Sequence, residues 1–313
     1  MSERSLPRPL CPGMSVAILS PCLQGDPNGH PKALENLRSV GLSVSFCDIR
    51  EDGYSPFVAS DKTRALSFQE ALGSEKVDAI FFARGGYGAA RILPWLKKTA
   101  PSPHFPLVLG LSDITNIHSW LYGTYRAVSF HGPHLRGLSD SKTFELFWEM
   151  VSGKIGMGKE LPAGDTTIVR EGMAEGILLG GNLETLAHLC GSQWLPKKRS
   201  DEGWILFLED IDEPMYAIDR AIRSLMHAGY LSGVRGVVLG PFMGRSPRPD
   251  DPRETVEELV REAIPDVPIM TSSLSGHGTP MATWPLGVRV ALSVNRATPP
   301  GITLLEEPFR ASD

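Results

Sequence analysis

Short apolar runs alternate with amphipathic stretches through the first half of the chain, and this alternation constrains the fold more than any other feature. The run at residues 77–83 is apolar except for Asp78, as expected for a strand buried on both faces. The remaining predicted elements here are strands at 16–19, 42–46 and 107–109 and helices at 32–40 and 61–72, the second capped by Asp61. This order of elements predicts βαβ units, and hence a parallel sheet with helices on both faces.

The regular pattern stops between about 139 and 173 and then resumes, which predicts two domains. Residues 1–140 are predicted to form an N-terminal α/β domain, 141–172 an inter-domain connection and 173–313 a C-terminal domain, since 313 residues are enough for two cores. Pro214 suits the first turn of a helix over 214–228, which Gly229 would end in a left-handed conformation. Further elements are predicted as helices at 183–189 and 253–264 and strands at 204–208, 234–239, 267–270, 288–292 and 302–305.

Composition excludes several classes of function. A net charge of -5 without a basic cluster argues against nucleic acid as a partner. No segment approaches the ~20 apolar residues of a membrane helix, and the first residues do not resemble a signal peptide, so a cytoplasmic protein without a membrane partner is predicted. The cysteines form no CxxC pair, and no redox or metal role is predicted for them.

The segment FPLVLGLSDITNIHSWL, residues 105–121, holds the candidate nucleophile. A strand is predicted to end at Gly110 and a helix to begin near Asp113, which leaves Ser112 on the turn between them. Backbone N–H groups at such a helix start can stabilise negative charge beside the serine, as acyl transfer requires. The alternative is that Ser112 only caps the helix. The segment lacks the second glycine of the GxSxG motif, so an ordinary α/β-hydrolase is not predicted.

A second strand-to-helix loop lies in ARGGYGAARILPWL, residues 83–96. It is predicted at the same sheet edge as Ser112, because the carboxyl ends of parallel strands meet there. Gly85 and Gly86 allow a backbone N–H to approach an oxyanion. A phosphate-binding loop is the alternative, but the segment matches neither GxxxxGK[ST] nor GxGxxG.

A serine nucleophile needs a base, and His277 is the best of eight histidines because glycines flank it on both sides. His131 and His134 could form a metal pair instead. However, the intervening Gly132-Pro133 excludes a helical arrangement, and no nearby carboxylate completes a ligand set. No metal site is therefore predicted.

The base in turn needs a carboxylate that fixes its tautomer. The candidates follow the predicted strand WILFL in the order Glu209, Asp210, Asp212 and Glu213. Residue chemistry does not choose among them, and one or two of them are expected to cap the helix that starts at Pro214.

Taken together, these segments resemble the serine-peptidase family of L,D-carboxypeptidases, which includes the microcin-immunity hydrolases. The matching blocks are RGGYGAARILP, GLSD followed by SFHGP, GGNLETLAHLCGS, LFLEDIDEPMYAIDRAIRSLMHAG, and GHG before PLG. The resemblance implies a flavodoxin- or glutamine-amidotransferase-like N-terminal domain and a smaller C-terminal α/β domain with a barrel-like or swivelling sheet. It also implies a homodimer that needs no metal or other cofactor.

Carried onto this sequence, the resemblance implies Ser112, Glu209 and His277 as a catalytic triad, with the N–H groups of Asp113 and Gly86 as the oxyanion hole. One departure is visible, because Leu111 stands before the nucleophile where the family usually has tyrosine. A contact from that phenol to the substrate would therefore be missing.

The implied activity is release of a terminal D-amino acid from murein tetrapeptide in cell-wall recycling. Arg84 is a candidate for binding the substrate carboxylate, with a structural salt bridge as its alternative. Asn182 and Glu184 are candidates for lining the pocket, although one of them is expected to cap the following helix. A hydrolase of peptidyl or aminoacyl nucleotides is the alternative function, which a stacking aromatic such as Trp194 would favour. A ligand-binding protein without turnover is a further alternative.

Overall fold

The computed structural model describes residues 4–26, 29–98, 104–197, 202–244 and 255–311, and their first sheet has six strands. These are β1 (Ser15–Leu19), β2 (Ser43–Phe46), β3 (Ala79–Phe82), β4 (Leu107–Gly110), β5 (Ser129–His131) and β11 (Trp284–Leu286). Their spatial order is β11-β5-β4-β3-β1-β2, and all neighbours are parallel except β11 and β5. The order β2-β1-β3-β4-β5 is that of flavodoxin-like sheets, which confirms the predicted N-terminal fold.

A second, mixed sheet contains seven strands of the described residues, in the order β13-β12-β7-β8-β9-β10-β6. They are β6 (Ile168–Arg170), β7 (Gly172–Asn182), β8 (Trp204–Ile211), β9 (Val234–Met243), β10 (Ile269–Thr271), β12 (Arg289–Val294) and β13 (Gly301–Leu304). Strands β7 to β10 are parallel, and β12, β13 and β6 are antiparallel to their neighbours. The two-domain α/β fold class is therefore confirmed.

Eight α-helices connect these strands within the described ranges. They are α1 (Pro31–Ser39), α2 (Asp61–Gly73), α3 (Ala89–Ile92), α4 (Thr115–Tyr125), α5 (Ser141–Val151), α6 (Leu183–Ala187), α7 (Met215–His227) and α8 (Val256–Ala263). In these ranges no helix combines the length and the apolar character needed to cross a bilayer. The predicted start of α8 at Arg253 lies outside the described residues.

Two predicted caps are wrong. Ser60 caps α2, its hydroxyl accepting a hydrogen bond from the Thr63 N–H at 3.3 Å, so Asp61 is the first helical residue. Pro214 precedes α7 and no side chain caps that helix, so the acidic cluster does not serve this purpose. Gly229 follows α7 in the predicted left-handed conformation, with φ 72°.

The two sheets share one apolar core. Phe207 of β8 lies 5.3 Å from Trp284 of β11 and 4.8 Å from His131 of β5, between ring centroids. Helix α5 belongs to the same core, since Phe147 packs edge-on against Phe81 at 5.6 Å. The predicted domain limits at 140 and 172 stay predictions, but β11 carries part of the 173–313 segment into the first sheet. Strand β4 of the first sheet and strand β8 of the second therefore pack on the same apolar core.

Candidate active site

Ser112 lies directly after β4, on the turn that the sequence predicted. It starts a short 3₁₀ segment, Ser112–Ile114, that leads into α4, and its φ is 62°. A non-glycine residue in the left-handed region costs roughly 1–2 kcal/mol, and such strain persists only where its surroundings impose it. Leu111 occupies the N-cap position, and the Ser112 side chain makes no capping hydrogen bond. The alternative of a capping serine is therefore wrong, and the hydroxyl is free for another purpose.

The carboxylate of Asp113 joins this turn to the loop after β3. Its oxygens accept hydrogen bonds from the Ala89 N–H at 2.7 Å and from the Asn116 side-chain amide at 2.8 Å. Burial raises the pKa of Asp113, and the hydrogen bond from Ala89 opposes the rise. The side chain of Asp113 is thus structural, which leaves its backbone N–H as the group that can face a substrate.

The loop at residues 84–88 lies against Ser112, as predicted. A methyl group added at Gly85 would lie 3.0 Å from the Ser112 Cβ. Gly86 has φ 97°, a conformation that favours glycine, and a methyl group there would meet the Leu23 side chain at 2.8 Å. Close approach to the serine thus requires glycine at position 85, whereas backbone conformation and the Leu23 side chain require it at position 86.

Arg64 stabilises this loop. Its role was not predicted from the sequence. Its guanidinium donates to the carbonyls of Pro21 and Gly88, pairs with Asp61, and lies 4.3 Å from the centroid of the Phe57 ring. The side chain is fully buried. A single arginine in the sequence of α2 gives no sign of this role, because arginine is common on exposed helix faces.

Glu209 and His277 meet, as the resemblance implied. Glu209 is 0% exposed, and its Oε2 lies 2.6 Å from the Nδ1 of His277 and 3.2 Å from the His277 backbone N–H. Burial lowers the pKa of His277, but the hydrogen bond and the charge of Glu209, with smaller contributions from Asp210 and Asp212, outweigh it. The pKa of His277 is therefore above its ordinary value of 6.5. With Nδ1 donating to the carboxylate, Nε2 is the nitrogen that can accept a proton.

Asp210 points away from His277, which separates the two adjacent acids. Its carboxylate accepts hydrogen bonds from the Asn182 side chain at 2.8 Å, the Glu184 N–H at 2.9 Å and the Ile211 N–H at 2.8 Å. Burial raises the pKa of Asp210 to about 6, although these hydrogen bonds oppose the rise. Asp210 therefore holds the start of α6, and of these two acids it is Glu209 that contacts the imidazole of His277.

Among the described residues no hydrogen bond joins Ser112 and His277. The Nε2 of His134 lies 3.0 Å from the Leu111 carbonyl oxygen. Burial, and to a smaller extent the charge of His277, lowers the pKa of His134 to about 3. Hydrogen bonds of catalytic groups are often long without substrate and tighten in the complex. A contact between the Ser112 hydroxyl and Nε2 of His277 thus stays a prediction.

The candidate substrate contacts differ in their environment. Arg84 is exposed and makes no hydrogen bond or ion pair with the described residues, so it is available to a ligand. Asn182 is 5% exposed and caps α6, accepting a hydrogen bond from the Thr185 N–H at 3.0 Å. Of Asn182 and Glu184, the former is thus the capping residue. Trp194 is partly buried against the apolar cluster around α2 and α4.

Comparison with known proteins identifies the family of this chain. Residues 16–132 match the model of the LD-carboxypeptidase N-terminal domain, and residues 175–292 match that of the LD-carboxypeptidase C-terminal domain. A putative carboxypeptidase of Synechocystis is 32% identical, the match covering 93% of this chain and 95% of that protein. The murein tetrapeptide carboxypeptidase of Pseudomonas aeruginosa is 30% identical, covering 90% of this chain and 94% of that protein.

Solved structures show the same fold. The muramoyltetrapeptide carboxypeptidase of Oxalobacter formigenes has a TM-score of 0.81 at 27% identity, covering 95% of this chain and 100% of that chain. An MccF-like protein of Bacillus anthracis has a TM-score of 0.83 at 24% identity, covering 96% and 99%. At that identity the second likeness shows the fold alone.

Proposed function

This chain belongs to the LD-carboxypeptidase family, and from that premise we propose that it releases the terminal D-amino acid of murein tetrapeptide with Ser112, Glu209 and His277 as its catalytic triad. The observation that carries the proposal is the contact of the fully buried Glu209 with the partly buried His277, 2.6 Å apart between Oε2 and Nδ1. A fully buried carboxylate that holds one imidazole nitrogen fixes the tautomer in which the other nitrogen can act as a base.

In the proposed mechanism, Nε2 of His277 takes the proton of Ser112 while Oγ attacks the carbonyl carbon of the scissile amide. The N–H groups of Asp113 and Gly86 stabilise the oxyanion, each contributing about 3 kcal/mol in comparable sites. His277 then gives its proton to the leaving amine as the C–N bond breaks. A water molecule, deprotonated by the same imidazole, hydrolyses the acyl-enzyme and frees Ser112.

The leaving group is an amino acid whose carboxylate needs a cation or N–H donors. We assign this contact to Arg84, which is exposed, adjoins the oxyanion loop and has no ion pair among the described residues. Asn182 contributes indirectly in this scheme, because its side chain is used to cap α6 and to bind Asp210.

The test is release of D-alanine from free and UDP-linked murein tetrapeptide, with the same peptide ending in L-alanine as the matched control. Purified protein should release only the D-isomer, Ser112→Ala should release none, and EDTA should leave the rate unchanged. An intact D-alanine peptide would refute the substrate. Aminoacyl-sulfamoyl adenosine, assayed in parallel, would then identify the alternative activity if it is cleaved.

Two further proposals concern the protein in the cell. We predict a cytoplasmic homodimer, in line with a substrate produced during cell-wall recycling. Sedimentation velocity should give about twice the 34.1 kDa mass of the chain. A species at the mass of one chain over the micromolar range would refute the dimer.

A further inference from the structure

Two histidines, His118 buried and His134 partly buried, hydrogen-bond the two carbonyl groups that precede Ser112. The Nε2 of His118 lies 2.9 Å from the Gly110 oxygen, and the Nε2 of His134 lies 3.0 Å from the Leu111 oxygen. A carbonyl oxygen can only accept, so each Nε2 carries the proton and each ring donates. Burial lowers the pKa of His118 to about 4 and that of His134 to about 3, so both rings are neutral near pH 7.

The bond of His134 acts on the peptide plane that sets the conformation of the nucleophile. The plane between Leu111 and Ser112 is rigid, so its carbonyl direction also fixes its N–H direction. Rotation of this plane changes φ of Ser112, which is 62° and thus in the strained left-handed region. Holding the Leu111 carbonyl therefore restrains φ of Ser112 and, with it, the direction of the Ser112 side chain.

His134 also contacts the other side of the proposed oxyanion hole. A methyl group added at Gly85 would lie 2.7 Å from the Cε1 of His134 and 3.0 Å from the Cβ of Ser112. The loop that carries Gly86 thus rests on the same imidazole that bonds the nucleophile turn. One ring thus contacts both the turn before Asp113 and the loop that carries Gly86.

We propose that His134 is a positioning residue that fixes the oxyanion-hole spacing through its bond to the Leu111 carbonyl. The inference rests on the proposed hydrolase function, but it concerns a residue outside the triad. His134 neither touches the substrate nor transfers a proton in this scheme. Its contribution should appear in kcat, because the hole binds charge that develops only in the transition state.

The experiment compares His134→Gln with His134→Asn, two variants with the same amide group. The glutamine amide nitrogen reaches about as far from the backbone as Nε2 of histidine and can donate to Leu111, whereas asparagine is one methylene too short. We expect His134→Asn to lower kcat about 30- to 100-fold with KM within about threefold of wild type. His134→Gln should stay within about fivefold of wild type.

Two outcomes would overturn the inference. If both variants keep a kcat near that of wild type, or if both are equally slow, the rate does not depend on the hydrogen bond to the Leu111 carbonyl. The rate at which a fluorophosphonate labels Ser112 gives the same comparison without the natural substrate. If wild type is labelled but leaves tetrapeptide intact, the substrate is wrong while the labelling ratio still decides the role of His134. A crystal structure of His134→Asn adds a readout independent of reactivity: a rotated Leu111–Ser112 peptide is expected, and an unmoved one contradicts the proposal.

Discussion

Replacing Glu209 by glutamine should separate the orienting role of this residue from its effect on the pKa of His277. Oε2 accepts hydrogen bonds from both Nδ1 and the backbone N–H of His277. A glutamine oxygen in the same place keeps these bonds and the tautomer but removes the negative charge. The imidazolium that forms in the transition state then has no buried counter-ion. Loss of this counter-ion should lower kcat by about 10²- to 10⁴-fold.

The same substitution should also lower the pKa of His277 and thereby shift the pH profile to lower pH. The base must be neutral, so the kcat/KM of wild type should fall as pH drops through the pKa of His277, which is above 6.5. Glu209→Gln removes the largest contributions that raise this pKa and leaves burial, which lowers it. The variant should therefore be much slower but keep its remaining activity to lower pH.

The assay is D-alanine release from pH 5 to 9, with Asp212→Asn as the matched control. Asp212 is an exposed carboxylate of the same turn and makes only a minor contribution to the pKa of His277. Its left-handed φ of 63° suits asparagine. The control should keep the wild-type rate and profile. A Glu209→Gln variant with near-normal turnover, or an Asp212→Asn variant that loses it, would refute the assignment of Glu209.

Three further predictions concern stability and binding. Ser112→Gly should be more stable to urea than Ser112→Ala by about 1 kcal/mol, since both lack the hydroxyl and only glycine relieves the left-handed strain. Equal midpoints of urea unfolding would contradict the strain. Asn182→Ala should cost about 1 kcal/mol in unfolding free energy through loss of its cap and leave KM unchanged, whereas a KM raised tenfold would make Asn182 a substrate contact. Burial lowers the pKa of His118 to about 4, so the ring stays neutral in the folded protein. In the unfolded chain the same ring takes up a proton near pH 6.5. The free energy of unfolding therefore falls as pH drops through this window. His118→Gln should reduce proton uptake on unfolding at pH 5 by about one, and an unchanged uptake would contradict the buried neutral state.

The nucleophile turn was predictable because its signal is local. An apolar strand, a serine and an amphipathic helix follow one another within residues 105–121, and the structure has them in that order. The loop with Gly85 and Gly86 was predictable in the same way, since both loops end neighbouring parallel strands. Local pattern and the sheet-edge rule together place this half of the site.

The choice between Glu209 and Asp210 was beyond local reasoning. Both lie within β8, where successive side chains point to opposite faces. Glu209 faces His277, and Asp210 faces Asn182 and the start of α6. Only the packing of the sheet decides which face belongs to the active site, so the family resemblance was needed for the assignment.

Strands β7 and β11 were missed for different reasons. The segment Gly172–Asn182 is rich in glycine, which suggests a loop, yet a methyl group at Gly180 would lie 1.8 Å from the Phe207 carbonyl oxygen of the adjacent strand. Glycine here permits close packing of β7 on β8. Strand β11 contains Pro285. It joins a sheet whose other strands all lie at or before His131 in the sequence. Such a long-range pairing leaves no periodic signal in the sequence.

The central claim is that the hydroxyl of Ser112 is activated by His277, and the most direct measurement is the site and rate of phosphonylation by a fluorophosphonate. Peptide mapping of the wild-type protein should find the adduct on Ser112, formed at least 100-fold more slowly in His277→Ala. An adduct on another residue, or a His277→Ala variant labelled at the wild-type rate, would contradict the account.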